Sequence, residues 1–145
     1  MIYTAMTKKA LRLCFDSHKD QVDKTGLPYV FHPFHLAEQM IDEISVTCAL
    51  LHDVVEDTDL TPGDLRQMGF PEEVLQVLAL LTHDPAVEYM DYVKKLSQNP
   101  VARAVKLADL AHNSDLSRLD TVDDWAKKRQ EKYLRAIAFL KGEDA

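Results

Sequence analysis

The feature that most constrains this chain is the segment LLHDVVEDT, residues 50–58. Within it two pairs of adjacent ionisable residues, His52-Asp53 and Glu56-Asp57, lie among leucines and valines. In a helix of about 3.6 residues per turn, His52 and Glu56 lie one turn apart, and so do Asp53 and Asp57. The flanking leucines and valines would hold this helix against a core, where an unpaired charge is costly. A divalent metal ion with a bound water is the simplest partner for such groups. The segment therefore predicts a metal-dependent hydrolase.

Apolar residues recur with helical spacing along almost the whole chain, and no segment alternates with the period of a strand. Proline and glycine separate the helical segments, as at Pro33, Gly69 and Pro100. We therefore predict one all-α domain over residues 1–145, a bundle of about eight helices. The predicted helices cover approximately residues 7–21, 33–42, 45–58, 62–68, 71–83, 87–97, 100–116 and 121–141.

Composition narrows the partners and the compartment. The net charge of −7 argues against binding to nucleic acid or anionic membranes, which usually requires a basic patch. Cys14 and Cys48, the two cysteines, fall in apolar helical patterns and are interpreted as reduced core thiols. The N-terminus lacks the apolar stretch of a signal peptide, and no apolar run approaches the roughly 18 residues of a membrane span. We expect a cytoplasmic protein, and its oligomeric state stays open.

Candidate metal ligands come from three separate helical regions. His32 stands directly before Pro33, while His52 and Asp53 belong to the opening motif. Asp109 is a charge inside an apolar stretch near the end of the chain. Taken singly, His32 could cap a helix and Asp109 could form a hydrogen bond between helices. The inference depends on their order: His before Pro, His-Asp in an apolar helix, then Asp in another apolar helix.

This order resembles the HD superfamily of metal phosphohydrolases, and more closely the hydrolase domains of RelA/SpoT-type proteins and the small alarmone hydrolases. The matching segments are KTGLPYVFHP, CALLHDVVEDTDLTPGDL and VKLADLAHN. The resemblance implies an HD-type helical bundle in which the metal ligands are His32, His52, Asp53 and Asp109. The metal in the family is typically Mn²⁺, although two imidazoles and two carboxylates also suit other divalent transition metals.

The resemblance also implies a reaction. Family members hydrolyse the 3′-pyrophosphate of guanosine tetra- and pentaphosphate (ppGpp and pppGpp), the alarmones of the stringent response, and release pyrophosphate. Glu56 and Asp57 are the predicted catalytic residues, because a carboxylate beside a metal-bound water can orient it and accept its proton. The sequence does not choose between them. The predicted binding residues for this small-molecule nucleotide are Lys24, Tyr29, Lys106 and Asn113.

One loop departs from the family pattern. Relatives carry Arg-Lys-Ser-Gly where this chain has Asp-Lys-Thr-Gly, so that Asp23 replaces the arginine. A carboxylate cannot stack on a purine as a guanidinium does. An adenosine alarmone or another 3′-phosphorylated nucleotide therefore stays open as the substrate. Two other functions also stay open: a different HD nucleotide phosphohydrolase, such as a nucleotidase, and a non-catalytic nucleotide-binding domain.

The remaining predictions concern single residues. His112, between Asp109 and Asn113, is a further candidate for substrate contact, whereas the His83-Asp84 pair is interpreted as a surface or capping feature. Thr121 and Asp124 are expected to cap the last helix. That helix is expected to pack through Trp125, Tyr133, Ile137 and Leu140. Its basic residues form either a solvated face or a phosphate-steering patch; they are Lys127, Lys128, Arg129 and Lys132.

Overall fold

The structure is a computed structural model that describes residues 1–143. Within this range the chain is helical and contains no strand beyond one isolated bridge between Val22 and Pro28, so the predicted all-α fold is confirmed. The helices are α1 (Ala5–His18), α2 (Phe31–Glu38), α3 (Glu43–Leu51), α4 (Val54–Asp57), α5 (Pro62–Gln67), α6 (Glu72–Leu81), α7 (Tyr89–Leu96), α8 (Pro100–Asn113) and α9 (Asp124–Leu140). A 3₁₀ turn, Leu116–Arg118, lies between α8 and α9. No helix in this part of the chain combines the length and apolar character needed to cross a membrane.

Side-chain capping sets several helix ends. Thr61 accepts a hydrogen bond from the backbone N–H of Asp64, whose carboxylate accepts from the Thr61 N–H, as expected for the start of α5. Gly69 follows α5 with φ of 94°, a conformation that favours glycine. The prediction for the last helix is wrong. Asp123, not Thr121 with Asp124, accepts from the Ala126 N–H, because Asp123 is the extended residue directly before α9.

The predicted helix over residues 45–58 is divided in two. α3 ends at Leu51, and Asp53 has φ of −107° and ψ of 1°, outside the α-helical region, before α4 begins at Val54. The prediction that the opening motif lies on one continuous helix is therefore wrong. Adjacent residues of a regular helix do not face each other. The break allows Asp53 Oδ2 to lie 3.0 Å from His52 Nε2.

α3 lies at the centre of the fold and packs against α1, α2, α6 and α8. Its last four residues, 48–51, are fully buried, which explains why this segment is apolar on every side. Cys14 and Cys48 are buried free thiols in this core, as expected. Burial raises the pKa of each thiol to about 12, so both are poor nucleophiles.

α9 covers α8 and α7 with only part of its length. Ala136 and Leu140 are buried, and Tyr133 and Ile137 pack partly against the core. Trp125 is 56% exposed and is not among the residues packed against the core, so the expectation that α9 packs through it is wrong. Its indole instead contacts the Lys24 side chain, whose ammonium lies 3.8 Å from the centre of the ring.

Candidate metal centre

Three helices bring buried metal-binding side chains to one point. His32 lies in the first turn of α2, His52 directly follows α3, and Asp109 lies in α8. One ligand atom from each of the three lies within 4.8 Å of the others. Their exposures are between 3% and 7%, so water does not screen them from one another. Tertiary packing therefore assembles three of the four predicted ligands into a cluster that suits a single cation.

His52 has the environment expected of a metal ligand. Its Nδ1 donates to the carbonyl oxygen of Ala49 at 2.7 Å, which leaves the Nε2 lone pair available. Nε2 is buried and has no hydrogen-bond partner among the described residues. It lies 3.0 Å from Asp53 Oδ2 and 3.7 Å from Asp109 Oδ1. An imidazole nitrogen left without a partner between two carboxylates fits a divalent cation.

The charges at this point favour a bound cation. Burial lowers the pKa of His52, but the carboxylates of Asp53 and Asp109 outweigh it and raise that pKa well above its usual value. Burial opposes ionisation of Asp109 as well, yet Lys106 and the two imidazoles hold its pKa well below the usual range. The carboxylates thus attract positive charge to Nε2, where a proton and a metal ion would compete.

Asp109 is oriented by two of the predicted substrate-binding residues. Asn113 Nδ2 donates to Asp109 Oδ1 at 2.9 Å, and Lys106 Nζ donates to Oδ2 at 3.0 Å. His32 Nε2 lies 2.9 Å from the same Oδ1. The Lys106 side chain is largely buried. In the structure Lys106 and Asn113 therefore contact a candidate metal ligand, and contact with substrate stays a prediction for both.

Asp53 contacts His52 but lies outside the cluster of three. Its carboxylate accepts a hydrogen bond from the hydroxyl of Tyr29, another predicted substrate-binding residue. Burial opposes ionisation, but the neighbouring His52 lowers the pKa of Asp53 to about 2. The tyrosine ring lies between the imidazoles of His18 and His32, with ring centres 4.8 Å and 5.7 Å away. Tyr29 thus fixes the direction in which Asp53 points.

His112 stabilises one tautomer of His32. The two rings stack 4.9 Å apart, almost in parallel, and their Nδ1 atoms are 2.7 Å apart, so one must donate to the other. Burial, with Arg118 nearby, lowers the pKa of His112 to about 4, which keeps it neutral near pH 7. A neutral His112 can accept from the His32 Nδ1–H and leave His32 Nε2 free for a metal. Contact between His112 and the substrate, which the sequence suggests, stays a prediction.

Of the two predicted catalytic carboxylates, Glu56 lines the small cavity at the metal centre. That cavity, about 70 Å³, is also lined by His52, Asp53 and Asp109. The backbone N–H of His83 donates to Glu56 Oε1 at 2.8 Å. Asp57 lies outside this cavity; burial and the nearby Asp53 raise its pKa to about 6.

The His83-Asp84 pair is divided between the surface and the site: Asp84 is exposed, as expected of a surface feature, and accepts from the Ala86 N–H, whereas His83 is half-buried. His83 lines the same cavity, because the chain that leaves α6 passes beside α4. Its ring lies 4.6 Å from that of Tyr92, and Tyr92 also lines the cavity. A His-Asp dipeptide after a helix carried no signal of this position, since it depends on how α6 packs.

A larger cavity of about 350 Å³ adjoins the metal centre. It is lined by three of the predicted substrate-binding residues, Lys24, Tyr29 and Asn113, and also by Arg118 and Arg129. Two of these link it to the metal centre, since Tyr29 contacts Asp53 and Asn113 contacts Asp109. Arg118 could not be predicted from the sequence, because no motif marks it. Arg129 belongs to the basic cluster of α9, whose role the sequence leaves open.

Comparison with known proteins gives the chain its relatives. No family model matches it. Human guanosine-3′,5′-bis(diphosphate) 3′-pyrophosphohydrolase MESH1 is 33% identical over 134 residues, which cover 83% of this chain and 73% of the human protein. Mouse MESH1 is 31% identical over 145 residues, which cover 88% of this chain and 80% of the mouse protein.

A solved structure agrees with these relatives. It is described as a metazoan ortholog of SpoT that hydrolyses ppGpp and plays a role in starvation responses. It superposes with a TM-score of 0.75 at 25% identity and covers 100% of this chain and 90% of its own. The resemblance inferred from the segments around His32, His52 and Asp109 is confirmed. The chain belongs to the family of guanosine-3′,5′-bis(diphosphate) 3′-pyrophosphohydrolases that includes MESH1 and the SpoT-type hydrolases.

Proposed function

We propose that this protein is a metal-dependent pyrophosphohydrolase that removes the 3′-pyrophosphate of ppGpp or a closely related alarmone. In this reaction water adds to the phosphorus nearest the ribose, the 3′-oxygen leaves as an alcohol, and pyrophosphate is released. The relatives that carry this activity by name span most of the chain. The observation that carries the proposal is the buried His52 Nε2, which has no hydrogen-bond partner within residues 1–143 and lies beside Asp53 and Asp109.

The residues that would hold the cation are His32, His52, Asp53 and Asp109. Their mixed imidazole and carboxylate donors suit a divalent transition metal, and we propose Mn²⁺. Such a cation, when bound, lowers the pKa of a coordinated water to near neutrality. A cytoplasmic location is proposed as well, supported by the two free buried thiols.

Glu56 is the proposed acceptor of the proton that the attacking water loses. It lines the cavity of the metal centre, and its carboxylate is held by the N–H of His83. Asp57, whose pKa is about 6, is the alternative base and would act from outside this cavity. Lys24 is proposed to bind phosphate. Tyr29, which orients Asp53, is also proposed to contact the substrate, and so are Lys106 and Asn113, which orient Asp109.

The first test is incubation of the protein with Mn²⁺ and ppGpp, followed by measurement of pyrophosphate and GDP. We expect equal amounts of both products, and we expect Asp53→Asn to abolish their release and to reduce bound metal. Asp59→Asn, at an exposed carboxylate nearby, is the matched control and should retain activity. If the wild-type protein binds Mn²⁺ but releases no pyrophosphate, the proposal is wrong, and nucleoside monophosphates would be assayed next.

The second test separates the two candidate bases. Glu56→Gln should bind Mn²⁺ as the wild type does and lower kcat by about a hundredfold or more, the usual contribution of a general base. Asp57→Asn should lower kcat less, because Asp57 does not line the cavity. Full activity of Glu56→Gln would remove Glu56 from the mechanism.

A further inference from the structure

The guanidinium of Arg118 is held from two sides beside the metal centre. Its Nη2 donates to Asp23 Oδ2 at 3.1 Å, and its Nη1 donates to the backbone carbonyl of His112 at 2.9 Å. Both side chains of the ion pair are mostly buried, with 22% exposure for Arg118 and 14% for Asp23. Two bonds on different nitrogens fix the plane of the guanidinium as well as its position.

The two oxygens of the Asp23 carboxylate accept hydrogen bonds from different parts of the chain. Oδ1 accepts from the backbone N–H groups of Thr25 and Leu27 and from the Thr25 hydroxyl, which closes the loop before α2. Oδ2 accepts from Arg118. The pair therefore joins this loop to the 3₁₀ turn that precedes α9. It lines the 350 Å³ cavity and also a second cavity, about 300 Å³, lined by Phe31 and Phe34.

The cations of the larger cavity differ in how far their charge is compensated. Arg118 is paired with Asp23, whereas Lys24 and Arg129 form no ion pair among residues 1–143. Both of these lie over the indole of Trp125, with Lys24 Nζ at 3.8 Å and Arg129 Cζ at 4.8 Å from the ring centre. Burial, and the charge of Arg129, lower the pKa of Lys24. Two uncompensated cations held this close attract phosphate more strongly than a neutralised one.

We propose that Arg118, positioned by Asp23, is the platform on which the purine base of the bound nucleotide stacks. A guanidinium plane stacks well on aromatic rings, and the charge that would draw it to phosphate is balanced by Asp23. Stacking uses the face of the base, so Arg118 does not distinguish adenine from guanine. This inference rests on the proposed function in taking a purine nucleotide as ligand, and it names Asp23 and Arg118 as determinants of base tolerance.

The test measures equilibrium binding of GDP, ADP and inorganic pyrophosphate by calorimetry, with a chelator present. GDP carries no 3′-phosphate, so its binding is independent of turnover. Arg118→Ala should weaken the binding of GDP and of ADP about tenfold each, in the usual range for loss of one stacking partner, and should weaken pyrophosphate binding less, through the Asp23 charge that it leaves unpaired. Arg118→Lys keeps the positive charge but lacks the planar guanidinium, so it should bind GDP and ADP as weakly as Arg118→Ala does.

Asp23→Asn separates positioning from loop structure. Asparagine keeps the Oδ1 acceptor for Thr25 and Leu27 and loses only the acceptor for Arg118. We expect a folded protein with a somewhat lower melting temperature, since a mostly buried ion pair is lost, together with GDP and ADP affinities lowered by the same factor and a raised KM for ppGpp at unchanged kcat. Lys24→Ala is a control with the opposite expectation, because it should weaken the binding of pyrophosphate.

The proposal is overturned if wild-type protein does not bind GDP, or if Arg118→Ala leaves GDP binding unchanged. It is also overturned if Arg118→Lys binds GDP with the wild-type affinity. The same holds if Arg118→Ala weakens pyrophosphate binding as much as GDP binding, or if it abolishes GDP binding and leaves ADP binding unaffected. A protein that binds GDP through Arg118 but does not hydrolyse ppGpp contradicts the proposed function alone.

Discussion

At the scale of single residues, the candidate ligands depend on neighbours that hold them in place. Asp109 accepts hydrogen bonds from Asn113 and Lys106, and Asp53 accepts one from Tyr29. His52 donates a hydrogen bond to a backbone carbonyl. Groups that orient metal ligands in this way commonly change metal affinity when removed. The structure therefore adds a metal-orienting contact to side chains for which the sequence indicated substrate contact alone.

Asn113 distinguishes these two roles. Asn113→Ala removes the donor to Asp109 Oδ1, so we expect Mn²⁺ affinity to fall about tenfold or more, as for other groups that orient metal ligands. Calorimetric titration of the metal-free protein measures the change, and Gln98→Ala at an exposed position provides a control. A raised KM with unaltered metal affinity would mean that Asn113 contacts substrate only.

At the scale of helices, α8 carries both Asp109 and Asn113, and its start is well defined. The side-chain oxygen of Asn99 accepts from the N–H groups of Val101 and Ala102, each at 3.0 Å. Arg103 donates to the carbonyls of Ser97 and Leu140, which ties the start of α8 to the end of α9.

Loss of the cap on α8 should lower stability without disturbing the site. Asn99→Ala leaves two N–H groups without their acceptor, so we expect the free energy of unfolding to fall by about 1 kcal/mol. Asn99→Asp keeps an acceptor and should stay close to the wild type. Urea denaturation measures the difference. An unchanged midpoint for Asn99→Ala would show that the cap contributes nothing, and a loss of Mn²⁺ affinity would show that the helix end is coupled to Asp109.

Patterns of periodicity located the helices but not the break between α3 and α4. Asp42 and Thr61 cap their helices through contacts with residues three positions away, which a short stretch of sequence encodes. Nothing local in LLHDVVEDT predicts a helix end at Leu51. Asp53 leaves the helix where Tyr29, 24 residues earlier in the chain, donates to its carboxylate.

At the scale of the whole molecule, the candidate metal centre connects α2, α3 and α8. Its three clustered candidate ligands, His32, His52 and Asp109, are brought together only when these helices pack. A cation that binds this cluster therefore binds the folded state and not the unfolded chain, so binding should add to stability.

Metal addition should accordingly raise the melting temperature. At a free Mn²⁺ concentration a hundred times Kd the folded state gains about 2.7 kcal/mol, which corresponds to roughly 5–10 °C for a chain of this size. A chelator should reverse the shift, and His52→Ala should show none of it. Differential scanning calorimetry provides the measurement. An equal rise in His52→Ala would place the stabilising metal elsewhere.

The sequence by itself determined the helical class, most helix positions, and the identity of the candidate ligands. Helical period, capping residues and the His-Asp pattern are properties of neighbouring residues, so they can be read without a fold. Only the tertiary structure decided that Asp53 turns away from α3 towards Tyr29 and that His83 lines the metal cavity. It also decided that Asp23 is paired with Arg118, which lies 95 residues later in the chain. These contacts depend on which helices and loops pack together. The packing energy is distributed over the whole core, so no single segment of the sequence determines it.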